Sequence, residues 1–188
     1  MNEAAKDVLI LLVTHQGEDT VRDTLQSCRP EGEEGAGPPI LVIDNASTDG
    51  TARAIELLSI PGLHLIRLER NKGVAGAYND GIEYARQRGK SWIFILDQDT
   101  ICRPACLNRL YRTARDLTKK GMTVGAVCPT AGSRVVPGVI HFPCLWNGRR
   151  FVPVPRDGTP GKAEPMAVDS SITSGTLYRR DALEAIGG

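Results

Sequence analysis

The sequence predicts an α/β domain: a mainly parallel sheet with helices packed on both faces. Three observations carry this expectation. Short apolar runs of strand length recur between residues 8 and 128, as parallel strands buried on both faces require. Segments with apolar residues at helical spacing alternate with them, the order of successive βα units. Threonine or aspartate closes several of the apolar runs, at the strand ends where open α/β sheets hold their ligands.

Val8 to Val13 is the first strand, short enough to be buried on both faces. Thr14-His15-Gln16-Gly17 breaks it, and a helix follows with Val21, Leu25 and Cys28 on one face. Residues 29–39, rich in Gly, Pro and Glu, read as a surface loop. Ile40-Leu41-Val42-Ile43 is the second strand and ends at Asp44. Ser47-Thr48-Asp49-Gly50 supplies helix-start chemistry before Thr51 to Leu58.

Leu63 to Leu68 makes the third strand. Asn71-Lys72-Gly73 is a turn into a helix over Val74 to Arg88, with Ala77, Tyr78, Ile82 and Ala85 inward and Gly89 as its C-terminal cap. Residues 91–96 form the fourth strand. Pro104 suits the first position of the next helix, where Leu107, Leu110, Tyr111, Ala114 and Leu117 recur at helical spacing. Thr123 to Cys128 is a further short strand. After Pro129 the pattern changes: residues 130–167 read as loops and hairpins, with apolar pieces such as Val135-Val136 and Phe151-Val152. A strand-like stretch in Val168 to Arg179 and a short helix over Asp181 to Ile186 close the chain.

At 188 residues the chain fits one domain with a substantial core. Twenty-three basic and 22 acidic residues leave a formal charge of +1, which gives no reason to expect a nucleic-acid partner. Five scattered cysteines without a Cys-x-x-Cys pair read as reduced thiols of a cytoplasmic protein. No signal peptide is expected, since Glu3, Lys6 and Asp7 precede the first short apolar run. No stretch approaches the roughly 20 apolar residues that span a bilayer, and peripheral contact with a membrane face stays open.

The chemistry concentrates at Asp97-Gln98-Asp99. Side chains of an extended chain alternate, so residues i and i+2 share one side. Two carboxylates at a strand end suit Mg²⁺ or Mn²⁺, which are held by one or two protein carboxylates plus a substrate's phosphates. The bland alternative is a solvated acidic turn. Asp44, at the second strand end, either accepts hydrogen bonds from a base or ribose or caps its own turn. The dinucleotide fingerprint Gly-x-Gly-x-x-Gly is missing after the first strand, and no Gly-x-x-x-x-Gly-Lys-Ser/Thr loop occurs. A metal on the acidic pair is the economical way to hold phosphate.

Several motifs in order resemble those of one family. They are Val13-Thr14-His15, the run from Val42-Ile43-Asp44-Asn45 to Thr51, the run from Asn71-Lys72-Gly73 to Ile82, and Leu96-Asp97-Gln98-Asp99. Together they are similar to family 2 glycosyltransferases with the GT-A fold. Ser174-Gly175-Thr176-Leu177-Tyr178-Arg179-Arg180 and Ile186-Gly187-Gly188 fit the segment before such enzymes' acceptor site. The Leu-Asp-Gln-Asp form looks most like the rhamnosyltransferase branch.

The resemblance implies a nucleoside-diphosphate sugar donor, a glycan or lipid-linked acceptor, and inversion at the sugar. It implies that Asp44 binds the base with Thr14 nearby, that Asp97 reaches the ribose or the metal shell, and that Asp99 coordinates the divalent metal. Lys72 and Asn79 would contact the nucleotide, against plain readings as a solvated lysine and a helix-surface amide. Residues 7–129 would be the nucleotide-binding units and 130–188 the start of the acceptor-side region, within one domain over 1–188 that is incomplete at its C-terminus. The general base is expected beyond Gly188; neither Asp169 nor Asp181 is nominated.

Two competing functions fit parts of the same pattern. A phosphohydrolase with an aspartyl nucleophile would favour Asp-x-Asp-x-Thr after the first strand, whereas here Thr100 follows Asp99 directly and the strand is the fourth. A catalytically silent nucleotide-binding or interaction module is the other.

Overall fold

The computed structural model describes residues 3–28, 37–133, 136, 139–154 and 165–187. Most of the expected 29–39 loop, Val135, residues 155–164 and Gly188 lie outside them. The elements run α1 (Glu3–Asp7), β1 (Val8–Thr14), α2 (Val21–Ser27), β2 (Ile40–Asp44), α3 (Thr51–Glu56), β3 (Leu63–Arg67), α4 (Gly73–Gln87), β4 (Trp92–Asp97) and α5 (Cys106–Lys119). Then come β5 (Ala126–Val127), β6 (Ala131–Gly132), β7 (Ile140–His141), β8 (Cys144–Trp146), β9 (Phe151–Pro153), β10 (Thr176–Arg179) and α6 (Arg180–Ala185).

The central sheet has the order β3-β2-β1-β4-β10-β5. Its first four strands are parallel, whereas β10 is antiparallel to both β4 and β5. Period-two alternation sorts the strand residues between two cores. Ile10, Leu12, Val42, Phe94 and Leu96 join residues of α2, α3 and α5 on one face. Leu9, Leu11, Leu41, Ile43, Ile93 and Ile95 meet Ala77, Ile82 and Ala85 of α4 on the other. Both faces are thus covered, as near-continuous apolar strands demand.

Residues 71–90 show how local chemistry sets a helix. Asn71 Oδ1 accepts the Gly73 N–H at 2.8 Å and so starts α4. At the other end Gly89 takes φ +64°. Gly89 N–H reaches the Arg86 carbonyl at 3.1 Å and Lys90 N–H the Ala85 carbonyl at 2.9 Å, the Schellman closure that favours glycine.

Three expectations need correction. Pro104 does not open α5: an Arg103-to-Cys106 turn, closed by the Cys106 N–H to Arg103 carbonyl bond at 3.0 Å, puts Pro104 second and Ala105 third. Ala105 has φ +58°, the positive value of a type II turn, so the helix starts only at Cys106. The strand expected over Thr123 to Cys128 contracts to Ala126–Val127, which pairs only with β10 at the sheet edge. The strand-like stretch expected within Val168 to Arg179 is present as β10, Thr176–Arg179. Finally, β4 stops at Asp97, and Gln98 and Asp99 form a turn closed by Thr100 N–H to the Asp97 carbonyl at 3.2 Å. The pleat therefore does not set the direction of Asp99, and the alternation argument ends at Asp97, two residues before it.

The hairpins expected in 130–167 are present among the described residues, as β6 with β7 and β8 with β9.

Candidate functional site

Strand β1 pairs with β2 on one side and β4 on the other. The chain therefore reverses its direction of travel across the sheet at β1, and the crevice at such a point, outside the carboxyl ends, is where open α/β sheets bind ligands. Thr14 stands opposite Asp44, and Asp97 opposite Val13. Three of the residues singled out from sequence thus meet at one end of three adjacent strands.

Their surroundings differ. Thr14 and Asp44 are each 1% exposed. Asp44 Oδ1 accepts the Ser47 N–H at 2.9 Å, so the carboxylate shapes its own turn, as the plainer sequence reading has it. Asp97 and Asp99 are exposed. Tyr78 of α4 donates its hydroxyl to Asp97 Oδ1 at 3.2 Å. Burial first, and then the Asp97 charge, push the Tyr78 phenol well above its usual range, so it stays a donor at neutral pH.

In sequence Gln98 is only the spacer between two acids, yet in the fold it joins the strand ends. Its Oε1 accepts the Thr14 hydroxyl at 2.7 Å and the His15 N–H at 2.8 Å. Its backbone carbonyl accepts the Thr24 hydroxyl of α2 at 2.7 Å. Gly17 allows this close approach: a Cβ there would stand 2.5 Å from Thr14 Oγ1 and 2.7 Å from Gln98 Oε1. From the far side, Ser174 Oγ accepts the Asp97 N–H at 2.8 Å and shares a 2.6 Å hydrogen bond with Thr100 Oγ1.

Asn45, 3% exposed, does similar work beside Asp44. Its Nδ2 donates to Asn71 Oδ1 at 2.9 Å and to the Gly73 carbonyl at 3.2 Å, while its Oδ1 accepts the Lys72 N–H at 2.9 Å. The β2 end is thereby tied to the start of α4. Nothing in local spacing marks Gln98, Asn45 or Ser174 for these roles, because each partner is remote in sequence. Their only signal was a place inside the quoted motifs.

Lys72 and Asn79 are exposed. The Lys72 ammonium pairs with Asp80 at 2.7 Å, so it is tethered beside the α4 start. Asp169 and Asp181 both have structural partners: Asp169 Oδ2 accepts the Trp146 N–H at 2.7 Å, and Asp181 pairs with Arg179 at 2.7 Å.

The donor set can be tested against a metal. Among the described residues no three or more His, Cys, Asp or Glu side chains converge as a metal site. An all-protein cage is therefore not what Asp97 and Asp99 offer. Two exposed carboxylates at a strand end do fit a hard ion that completes its shell with phosphate oxygens and water.

Comparison with known proteins matches this arrangement to one family. The model of glycosyl transferase family 2 matches residues 9–187. The succinoglycan biosynthesis protein ExoO of Rhizobium meliloti (strain 1021) is 34% identical over 108 residues, covering 57% of this chain and 30% of its own length. The dTDP-rhamnosyl transferase RfbF of Shigella flexneri is 38% identical over 71 residues, covering 38% of this chain and 23% of its own length. The matched part is thus under a third of each of these two relatives.

Among solved structures, S. aureus TarS 1-349 in complex with UDP-GlcNAc superposes with a TM-score of 0.63 at 17% identity, covering 96% of this chain and 47% of that one. The mannosyltransferase PcManGT from Pyrobaculum calidifontis, in complex with GDP-Man and Mn²⁺, superposes with a TM-score of 0.55 at 23% identity, covering 66% and 35%. At these identities the likeness is one of fold, and the fold is GT-A. No helix among the described residues is long and apolar enough to cross a membrane.

Proposed function

This chain belongs to glycosyl transferase family 2, and from that premise we propose that it moves a sugar from a nucleoside-diphosphate donor to a glycan or lipid-linked acceptor, with inversion. Rhamnose, on a deoxythymidine or uridine diphosphate, is the sugar favoured, supported by the Leu96-Asp97-Gln98-Asp99 form and the short match to the rhamnosyl transferase of Shigella flexneri. The observation that carries the reading is the gathering of Thr14, Asp44 and Asp97 at the carboxyl ends of neighbouring strands at the switch point of the sheet. Membership of the family sets aside the aspartyl-nucleophile phosphohydrolase.

In this reading Asp44 accepts hydrogen bonds from the base, with Thr14 beside it. Asp97 takes the ribose or the metal shell, and Asp99 the metal itself. Mg²⁺ or Mn²⁺, when bound there, neutralises charge on the departing diphosphate. Lys72 turns from Asp80 toward the nucleotide, and Asn79, two turns along α4, meets it from the same helix. Gln98, Asn45 and Ser174 hold these groups in place, which matters because misplacement by about 1 Å can cost on the order of 10²-fold in rate.

Calorimetric titration of a panel of nucleoside-diphosphate sugars, with and without Mn²⁺, tests the proposal. Binding of a thymidine- or uridine-linked donor that weakens when the metal is removed is the expected result. A folded protein that ignores every donor but binds NAD would overturn it.

A further inference from the structure

Outside the donor site, the fold gathers three of the five cysteines that look scattered in sequence. Cys28 closes α2, Cys102 lies between the acidic turn and α5, and Cys106 opens α5. All three line one cavity of about 60 Å³, with Ile10 and Phe94 on its apolar wall and Arg103 beside Cys102. Cys102 N–H donates to Ser27 Oγ at 3.0 Å, so the backbones that carry Cys28 and Cys102 are already joined. The Cys28 thiol itself donates to the Thr24 carbonyl at 3.3 Å. No three ligating side chains converge as a metal site among the described residues, which separates this group from a thiolate metal centre.

We propose that Cys28 and Cys102 are a reversible dithiol–disulfide pair, oxidised by a low-molecular-weight disulfide that enters at this cavity. The Cys102 thiolate attacks one sulfur of the small disulfide, whose S–S bond breaks. A mixed disulfide forms, and the first small thiolate leaves and takes up the proton that Cys102 lost. Cys28 then gives up its proton and attacks the Cys102 sulfur. The Cys28–Cys102 bond forms, and the second small thiol departs with that proton. Two protein thiols are oxidised and one small disulfide is reduced to two thiols.

The division of roles follows from the surroundings. The neighbouring Cys28 side chain holds the Cys102 thiol below its usual range. That same contact, with burial, pushes Cys28 far up, which suits the second, resolving thiol. Burial pushes Cys106 up to about 11. The bond would tie the end of α2 to a segment that begins next to Thr100, already held by Ser174. The acidic turn would then be fastened from both sides.

The test is to equilibrate the intact protein with oxidised and reduced glutathione, trap free thiols by alkylation, and map linked peptides by mass spectrometry. A Cys28–Cys102 peptide with Cys106 alkylated is expected. In the reduced protein near neutral pH, Cys102 should alkylate roughly tenfold faster than Cys106, the larger thiolate fraction being partly offset by lower nucleophilicity. Cys28→Ser should stop at the glutathione adduct on Cys102, and Cys106→Ser, which keeps the test should Cys28→Ser not fold, should still form the linkage. Both Cys28 and Cys102 fully alkylated under oxidising conditions, or a Cys102–Cys106 bond in their place, would overturn the proposal.

Discussion

Gln98 Oε1 lies 2.7 Å from the hydroxyl of Thr14, so the residue between the two acids is bonded to the end of the neighbouring strand. The acidic turn and the β1 end therefore move as one unit. Gln98→Ala should leave the Thr14 hydroxyl and the His15 N–H without their acceptor. A loss of about 1–3 kcal/mol of stability is expected, read from the shift in urea midpoint at unchanged slope. An unshifted midpoint would mean that water replaces the amide at no cost.

Asp99→Asn should weaken metal-dependent nucleotide binding by about 1–3 kcal/mol, the scale for losing a charged hydrogen-bonding partner. Asp97→Asn should weaken it less, since the family pattern gives the ion to the later carboxylate. Titration calorimetry in Mn²⁺ and in chelator separates the two. Equal effects in chelator would show that neither carboxylate acts through the metal.

Gly81→Ala tests how α4 packs on the sheet. Its Cβ would stand 2.5 Å from both methyls of Leu11, which is fully buried at the centre of the sheet. Overpacking of this kind costs about 1–3 kcal/mol. Melting temperature should fall by a few degrees, about 2–4 °C for each kcal/mol in a chain of this size, and an unchanged value would show that Leu11 moves aside without cost.

The tyrosines give a pH dependence with a definite sign. Burial raises Tyr78, Tyr111 and Tyr178, with Asp97 adding to the first and Asp7 to the second, and Tyr111 is carried to about 12. Unfolded tyrosine ionises near ~10. These groups therefore contribute full stability below about pH 10, and the unfolded chain gains by ionising as pH rises above it. Alkaline absorbance titration should show three phenols lagging behind free tyrosine, and Tyr78→Phe should remove one of them. A native protein whose phenols all titrate together near the free value would contradict this.

Much of the sheet was legible because its strands are continuous apolar runs and its helices carry their own stop signals, Gly89 being the plainest. Most of what escaped was governed by contacts remote in sequence, and one miss was a local ambiguity. Pro104 has the chemistry of a helix start and also of a turn, and the positive φ of Ala105 decides for the turn. The short β5 exists only because β10 arrives beside it. At the site, Thr14, Asp44 and Asp97 could be named in advance because strand ends are predictable in this architecture. Gln98, Asn45 and Ser174 could not, since their partners lie 84, 26 and 77 residues away. Asp99 lies in the turn that follows β4, so strand alternation could not give its direction.

The pairing of β10 with β4 has a consequence for how the molecule is made. Ser174 reaches Asp97 across 77 residues, and Thr176–Arg179 cover the side of β4 that β1 does not. During synthesis the apolar Trp92–Leu96 segment is complete long before its second neighbour emerges from the ribosome. Until then it presents a row of unsatisfied backbone groups, a template for pairing with another chain. Nascent chains that stall before Thr176 should therefore associate and call on chaperones. Those that reach Arg179 close the exposed border with β10.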